Sequence, residues 1–234
     1  MTGHDEFLNP QYAPDTLDLA GVRRSILAAL TRELPRFHGT LLDVGAGYAP
    51  YRPLVLAPPS RVTRYIALDL SDNIYQPPDL KWDGSTIPLQ TGTVDCALAT
   101  EFFEHVPQPE TAMRECLRVL KPGGLLFFTV PFLWPLHTVP YDEYRYTPFA
   151  LGRHLQAAGF CDVRVSALGG WDASLAQMVG LWVRRRPMSD MTRRVLSRLA
   201  WPLVVYLARH DHVPQAFHES LMITGLAGTA TKPG

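Results

Sequence analysis

Apolar residues in this chain fall into short continuous runs separated by stretches with helical spacing, and the alternation persists through most of its length. Thr40 to Val44, Tyr65 to Leu68, Cys96 to Thr100 and Leu125 to Val130 have the length and composition of strands buried on both faces. A short strand near Lys81, another at Val163–Ala167 and a last one at Leu221–Thr231 complete the set. Leu19, Val22, Ile26, Leu27 and Leu30 mark one face of a helix from about Thr16 to Leu34, which Pro35 stops. A second helix opens within Tyr48 to Ala57, and Met113, Cys116, Leu117 and Leu120 repeat at helical spacing after Pro109. Thr147 and Pro148 suit an N-cap and first helical position, with Gly159 as the stop. Strands alternating with helices predict a doubly wound α/β domain with helices on both faces of a mostly parallel sheet.

Residues 171–213 interrupt this pattern with two helical segments, Trp171–Arg184 and about Asp190–Arg209. Arg184, Arg185, Arg186, Arg193, Arg194 and Arg198 cluster beside the apolar run Leu199 to Ala208. That run contains Pro202 and falls short of the about 20 apolar residues that cross a bilayer. The segment therefore predicts a helical pair capping a substrate pocket, in preference to an interfacial amphipathic anchor. The chain of 234 residues is expected to form one domain. An N-terminal helical cap spans 1–37, the core 38–170 and 214–231, and the insert 171–213.

Charge excludes one class of partner. Lysine plus arginine and aspartate plus glutamate balance at 22 each, so no basic excess serves nucleic-acid phosphates. Cys96, Cys116 and Cys161 lack metal-ligand spacing and read as small core hydrophobes of a reducing compartment; no metal site is expected. Met1 to Pro14 is polar and acidic, unlike a secretory signal, and the cytoplasm is the expected location. The 21 prolines gather at Pro50–Pro59, Pro77-Pro78, Pro107–Pro109 and Pro131–Pro140, stiffening loops between elements.

Candidate chemistry sits where strands end. Asp43 closes the first apolar run, and Gly45-Ala46-Gly47 follows as a turn that lets backbone approach a ligand closely. A carboxylate at the end of a core strand needs a partner, which a ligand amine or the N–H groups of the turn can supply. Asp69 ends the second strand, where nucleotide-binding sheets place a carboxylate for ribose hydroxyls. Pro50 occupies the sixth position of a G-x-G-x-x-G reading, against a pyrophosphate-binding turn. Asp69 as a helix N-cap and Asp83 as a turn residue are the plainer alternatives.

The D-x-G-x-G element, Asp69, Trp82-Asp83-Gly84, the E-x-x-E-H element from Glu101 to His105 and Leu120-Lys121-Pro122-Gly123-Gly124 together resemble the class I S-adenosylmethionine-dependent methyltransferases. The family version of the turn prefers glycine at Ala49. Pro50-Tyr51-Arg52 and the loop P-F-x-x-P-x-H…P-x-D-x-x-R-Y-T-P from Pro131 to Pro148 resemble the type 11 subgroup. The resemblance implies a Rossmann-like sheet with an antiparallel last strand and S-adenosyl-L-methionine as cofactor. Asp43, Gly45, Ala46, Gly47, Asp69, Leu70, Asp83, Gly84, Glu101 and Phe102 would bind it. Asp83 would meet the adenine amino group, and Glu101 and Phe102 the rim of the adenine and methionine pocket. His105 is expected to be structural.

The acceptor is expected at the loop after the fifth strand, where His137, Asp142, Tyr141, Tyr144, Arg145 and Tyr146 lie close in sequence. His137 is the candidate base, Asp142 its orienting carboxylate, and Tyr144 or Tyr146 a positioning group. The alternative is an Asp142–Arg145 pair that ties down the loop. Two functional classes follow: an O-methyltransferase on a small-molecule or glycan acceptor (N-methylation of an amino sugar being a variant), or a non-catalytic cofactor-binding or membrane-associated scaffold.

Overall fold

The computed structural model describes residues 5–234, so Met1 to His4 of the N-terminal cap lie outside it. Its centre is a seven-stranded sheet: β1 (His38–Val44), β2 (Arg61–Leu70), β3 (Leu80–Trp82), β4 (Val94–Thr100), β5 (Leu120–Pro131), β6 (Cys161–Leu168) and β7 (Gly225–Thr231). Their spatial order is β3-β2-β1-β4-β5-β7-β6. β7 runs antiparallel to both of its neighbours, and the other pairings are parallel. The chain reverses direction of winding beside β1, which places its carboxyl end at a topological switch point.

Alternation along β1 explains both layers. Leu42 and Val44 face a core shared with α4 (Pro109–Val119) and α5 (Pro148–Ala157), through Met113, Cys116, Leu151 and Leu155. Leu41 faces the opposite core, with Ile26 and Leu30 of α2 (Ala20–Glu33) and with Val55 of α3 (Arg52–Val55). Asp43, two residues from Leu41, points to that second side. The predicted cap of α5 is present: the Thr147 hydroxyl accepts from the Ala150 N–H at 3.2 Å, and Gly159 ends the turn with φ +106°.

Several boundaries moved for local reasons. The helix expected within Tyr48–Ala57 is only α3, because Ala49 at φ +48° and Pro50 keep the chain out of helix until Arg52. β2 begins four residues before Tyr65; solvent-facing Arg61 and Arg64 hide its start from a search for continuous apolar runs. β7 starts at Gly225, four residues after the expected Leu221.

The insert forms two helices, α6 (Trp171–Arg185) and α7 (Asp190–His210). A small core of Leu17, Ala176, Val183, Val204 and Leu207 joins them to the N-terminal segment, preceded by α1 (Asp5–Leu8). Asp18 is buried and clamped by Arg185 at 2.6 Å, with Arg184 at 4.0 Å. Arg193 donates to the carbonyls of Val183 and Arg184. Arg184 and Arg185 therefore tie the hairpin to the N-terminal segment, and Arg193 ties its two helices together. No helix among the described residues is long and apolar enough to cross a membrane.

Candidate active site

At the carboxyl end of β1 the N–H groups of Gly45 and Ala46 donate to the Leu68 carbonyl at 2.9 and 3.1 Å, fastening the turn to β2. Gly45 has φ +71°, and a Cβ there would lie 2.5 Å from Phe102 Cδ2. Glycine is required at this position by both backbone and neighbour. Ala49, where a glycine is preferred in the resembling family, adopts the left-handed φ that glycine favours. The Gly47 N–H donates to Asp69 Oδ2 and the Leu70 N–H to Asp69 Oδ1, both at 2.7 Å. Asp69 is thereby oriented at the lip of the turn with lone pairs to spare.

Asp43 is 1% exposed. Its Oδ2 accepts from the Tyr65 hydroxyl, while Oδ1 has no hydrogen-bond partner among the described residues. Burial pushes this carboxyl up to about 7, against the Tyr65 bond. An orphaned buried carboxylate oxygen beside a glycine turn fits the ammonium of an amino-acid ligand. Arg52 stands over the Tyr65 ring, 4.8 Å from its centroid, and pairs with Asp79. The Pro50-Tyr51-Arg52 element thus supports Asp43 through Tyr65.

The neighbouring wall is aromatic. Phe102 lies between Trp82 and Phe103, with ring centroids 5.7 and 5.3 Å away. Leu70, exposed, approaches the Gly84 position, where a Cβ would lie 3.9 Å from Leu70 Cδ2. Exposed Tyr48 and Tyr75 pack together, and Tyr75 reaches over Gly47. Asp83 Oδ1 accepts from the Ser85 N–H and hydroxyl and from the Thr86 N–H at 2.8–3.0 Å, and the two backbone bonds hold its carboxyl below the usual range. That is a turn role; Oδ2 takes no part in it. These residues ring a surface suited to a purine and a ribose.

At the next strand end, Glu101 has φ +49°, and its Oε1 accepts from the Thr129 hydroxyl at 2.8 Å. Burial raises its carboxyl to about 7. Glu104 is fully buried, and neither carboxylate oxygen has a hydrogen-bond partner among the described residues. Burial, with Glu101 close by, holds it well above the carboxylate range. His105 Nε2 lies 3.6 Å from Glu104 Oε1, and its Nδ1 is 2.9 Å from the Tyr141 carbonyl.

The loop after β5 folds back over this group. The Glu104 carbonyl accepts from the N–H groups of Glu143 and Tyr144. Arg145 holds Asp142 with two bonds of 2.7 and 2.8 Å, and also donates to the carbonyls of Trp134, Pro135 and Tyr144. Asp142 accepts the His137 N–H at 3.1 Å, and His137 Nδ1 lies 3.2 Å from the same oxygen. Arg145 holds the Asp142 carboxyl down to about 2. Desolvation and the neighbouring His105 hold the His137 imidazole below its ordinary value, outweighing Asp142. His137 and Asp142 are therefore brought together. Tyr144 is not with them: its hydroxyl donates to the Pro107 carbonyl and its ring stacks on Tyr146. A cleft of about 950 Å³ lies elsewhere, between the N-terminal segment, α2 and the α6–α7 hairpin. It shares Thr224 with the acceptor loop, since that carbonyl accepts from Phe132 and Leu133.

Strand order, antiparallel β7, glycine turn and acid-lined strand ends make up a Rossmann-like fold, the fold of the solved S-adenosyl-L-methionine-dependent methyltransferases below. Residues 42–128 match the family model described as methyltransferase domain. A ubiquinone biosynthesis O-methyltransferase of Xanthomonas oryzae pv. oryzae is 30% identical over 138 residues, covering 52% of this chain and 49% of that protein. The chain thus spans about half the length of this curated relative. Phosphoethanolamine N-methyltransferase 2 of Haemonchus contortus, solved with S-adenosyl-L-methionine, has the same fold: TM-score 0.57, 15% identity, covering 100% of this chain and 61% of that one. A SAM-dependent methyltransferase from Archaeoglobus fulgidus gives TM-score 0.53 at 16% identity, covering 97% of each chain.

Proposed function

We propose that this protein transfers a methyl group from S-adenosyl-L-methionine to a small-molecule or glycan acceptor, with a hydroxyl as the favoured nucleophile. The unpaired, buried Oδ1 of Asp43 beside the Gly45–Gly47 turn carries the reading, because that oxygen suits the ammonium of the cofactor. Asp69 would take the ribose hydroxyls, Leu70, Gly84 and Phe102 the adenine face, and Asp83 Oδ2 the adenine amino group. The cofactor supplies a sulfonium-activated methyl group when bound. The protein's part is to hold the acceptor oxygen in line at about 3–3.5 Å, exclude water and receive a proton.

His137 is the proposed proton acceptor on protein groups alone. Its depressed basicity keeps it neutral near pH 7, and the Arg145-held Asp142 anchors its backbone N–H and stands 3.2 Å from Nδ1. The 171–213 hairpin, tied to the N-terminal segment through Asp18, is proposed to cap the acceptor side rather than to sit in a membrane. Calorimetry with S-adenosylhomocysteine and with NAD tests the cofactor assignment: binding of the first and not the second is expected. No heat from S-adenosylhomocysteine with an intact fold removes the proposal. Labelled methyl transfer to a panel of phenols, sugars and amino sugars then separates oxygen from nitrogen acceptors. With a hydroxyl acceptor, His137→Ala should cost about 10²–10⁴ in kcat with cofactor affinity retained.

A further inference from the structure

Glu104 presents an unresolved problem within the fold. It is 0% exposed, it follows the fully buried Phe103, and both of its carboxylate oxygens lack hydrogen-bond partners among the described residues. Buried carboxylates in folded proteins are paired, hydrogen-bonded or bound to a metal. Arg145 is the nearby cation that acts on it, but that guanidinium is already spent on Asp142 and on three carbonyls. Glu101, half-buried, adds a second carboxyl to the same neighbourhood. Ionised, this pair of carboxyls has no free cation among the described residues to meet it.

Two imidazoles converge on it. One ligand atom each from Glu104, His105 and His137 all lie within 4.8 Å of one another. The two rings meet edge to face, with centroids 4.7 Å apart. His105 Nδ1 pairs with the Tyr141 carbonyl at 2.9 Å, which favours a proton there and leaves Nε2, 3.6 Å from Glu104 Oε1, as a lone-pair donor. Histidines that ligate a metal are held in this way by carbonyl or carboxylate oxygens behind them. His137 Nδ1 is buried 3.2 Å from Asp142 Oδ2 without a hydrogen bond among the described residues, so this ring too has an unpartnered nitrogen in the cluster.

We propose that Glu104, His105 and His137 form a site for one divalent first-row metal ion at the acceptor end of the methyl-transfer site. Two imidazole nitrogens and one carboxylate suit Zn²⁺, Co²⁺, Mn²⁺ or Fe²⁺ better than the all-oxygen shells of Ca²⁺ or Mg²⁺. Three protein ligands on one side leave coordination positions open, as in catalytic rather than structural sites. The use of the ion rests on the methyl-transfer reading above: an acceptor hydroxyl drawn to the open side would be acidified, and its proton would leave to solvent. The acceptor oxygen then forms the new bond to carbon, the sulfur–carbon bond breaks, and its electron pair stays on sulfur. His137 would serve as a ligand, no longer as the proton acceptor.

The test uses the full chain stripped with a chelator and titrated with Co²⁺, whose visible bands report its ligands, followed by competition with Zn²⁺. One equivalent should bind, and saturation with Zn²⁺ should raise the Tm. His105→Ala and His137→Ala should each weaken Co²⁺ binding at least tenfold. Glu104→Gln, which keeps shape and removes the anionic ligand, should abolish the Zn²⁺-induced rise in Tm. Absence of a stoichiometric Co²⁺ complex overturns the site, as does a complex of undiminished affinity in all three variants. S-adenosylhomocysteine calorimetry on stripped and loaded protein is read separately. Loss of that signal with Co²⁺ binding intact sinks the methyl-transfer reading and leaves the metal site standing.

Discussion

Asp43→Asn tests the central electrostatic argument, because one substitution should move stability and cofactor affinity in opposite directions. The wild-type carboxyl rises from an ordinary 3.8 to about 7 on folding, chiefly through burial. At about 1.4 kcal/mol per decade, that difference amounts to roughly 4 kcal/mol of folding free energy at high pH, which is a ceiling. The sign follows from proton counts. Between pH 4 and 7 the folded carboxyl holds its proton and the unfolded one does not, so wild type loses stability as pH rises through that window. Asparagine does not titrate, and its amide oxygen can still accept from the Tyr65 hydroxyl.

The ligand-free Asp43→Asn protein should therefore match wild type at about pH 4 and exceed it by several degrees in Tm at pH 8. Cofactor affinity should fall instead. Losing a hydrogen bond to a charged partner costs about 1.5–3 kcal/mol, or about 10- to 150-fold in Kd for S-adenosylhomocysteine at pH 8. Thermal unfolding across pH 4–8 and calorimetry at pH 8 measure both quantities. Wild-type affinity in the variant, or a variant less stable than wild type at pH 8, would refute the assignment of Oδ1 to a ligand ammonium.

Gly45→Ala should cost about 1–3 kcal/mol of stability and most of the S-adenosylhomocysteine affinity, because φ +71° and the 2.5 Å approach to Phe102 both oppose a Cβ; a normal Kd argues against the turn as cofactor site. Arg145→Ala leaves Asp142, whose side chain is 2% exposed, without its guanidinium, and hydrogen exchange over residues 131–147 should accelerate while cofactor affinity stays within about twofold. Unchanged exchange there would show that the loop is held by something else. Asp18→Ala breaks the Arg185 clamp and should lower stability by about 1–3 kcal/mol; an unmoved Tm rules out the clamp. As a cap, the 171–213 hairpin should leave anionic vesicles unpelleted at low salt, whereas pelleting that salt reverses would make it a membrane contact.

The features legible in the sequence were those whose partners are near in the chain. Gly45 and Gly47 follow Asp43 within one turn, and Thr147-Pro148 caps its own helix. Asp69 could be read as an acid at a strand end, but its two bonds to the turn depend on β1 lying beside β2. Tyr65 was missed as a functional residue for the same reason. It sits two positions before Ala67, the partner of Asp43 across the parallel pair, so only the register brings its hydroxyl to the carboxylate. Thr129 was visible as a hydroxyl inside an apolar strand, a signal that a buried acceptor must be near, and Glu101 is that acceptor. Glu104 and His105 were read only as part of the E-x-x-E-H element, with His105 as a structural residue. Their burial, and the return of His137 to meet them, depend on a loop that closes through Arg145 and two backbone bonds to the Glu104 carbonyl.

Asp43, Glu101 and Glu104 stand near the ends of two adjacent strands, β1 and β4, and each has its carboxyl raised by burial. Each lowers the stability of the empty fold, and a hydrophobic replacement would relieve that cost. Their shared remedy is positive charge supplied from outside the chain. The cofactor brings an ammonium and a sulfonium to one end, and a divalent ion would bring two charges to the other. Ligands that bind only the folded state add stability by mass action, about 2.7 kcal/mol at a hundredfold excess over Kd. Stability that the empty site gives up is thus recovered as affinity, and with Asp43 Oδ1 unpaired an analogue lacking the amino group should bind far more weakly than S-adenosylhomocysteine.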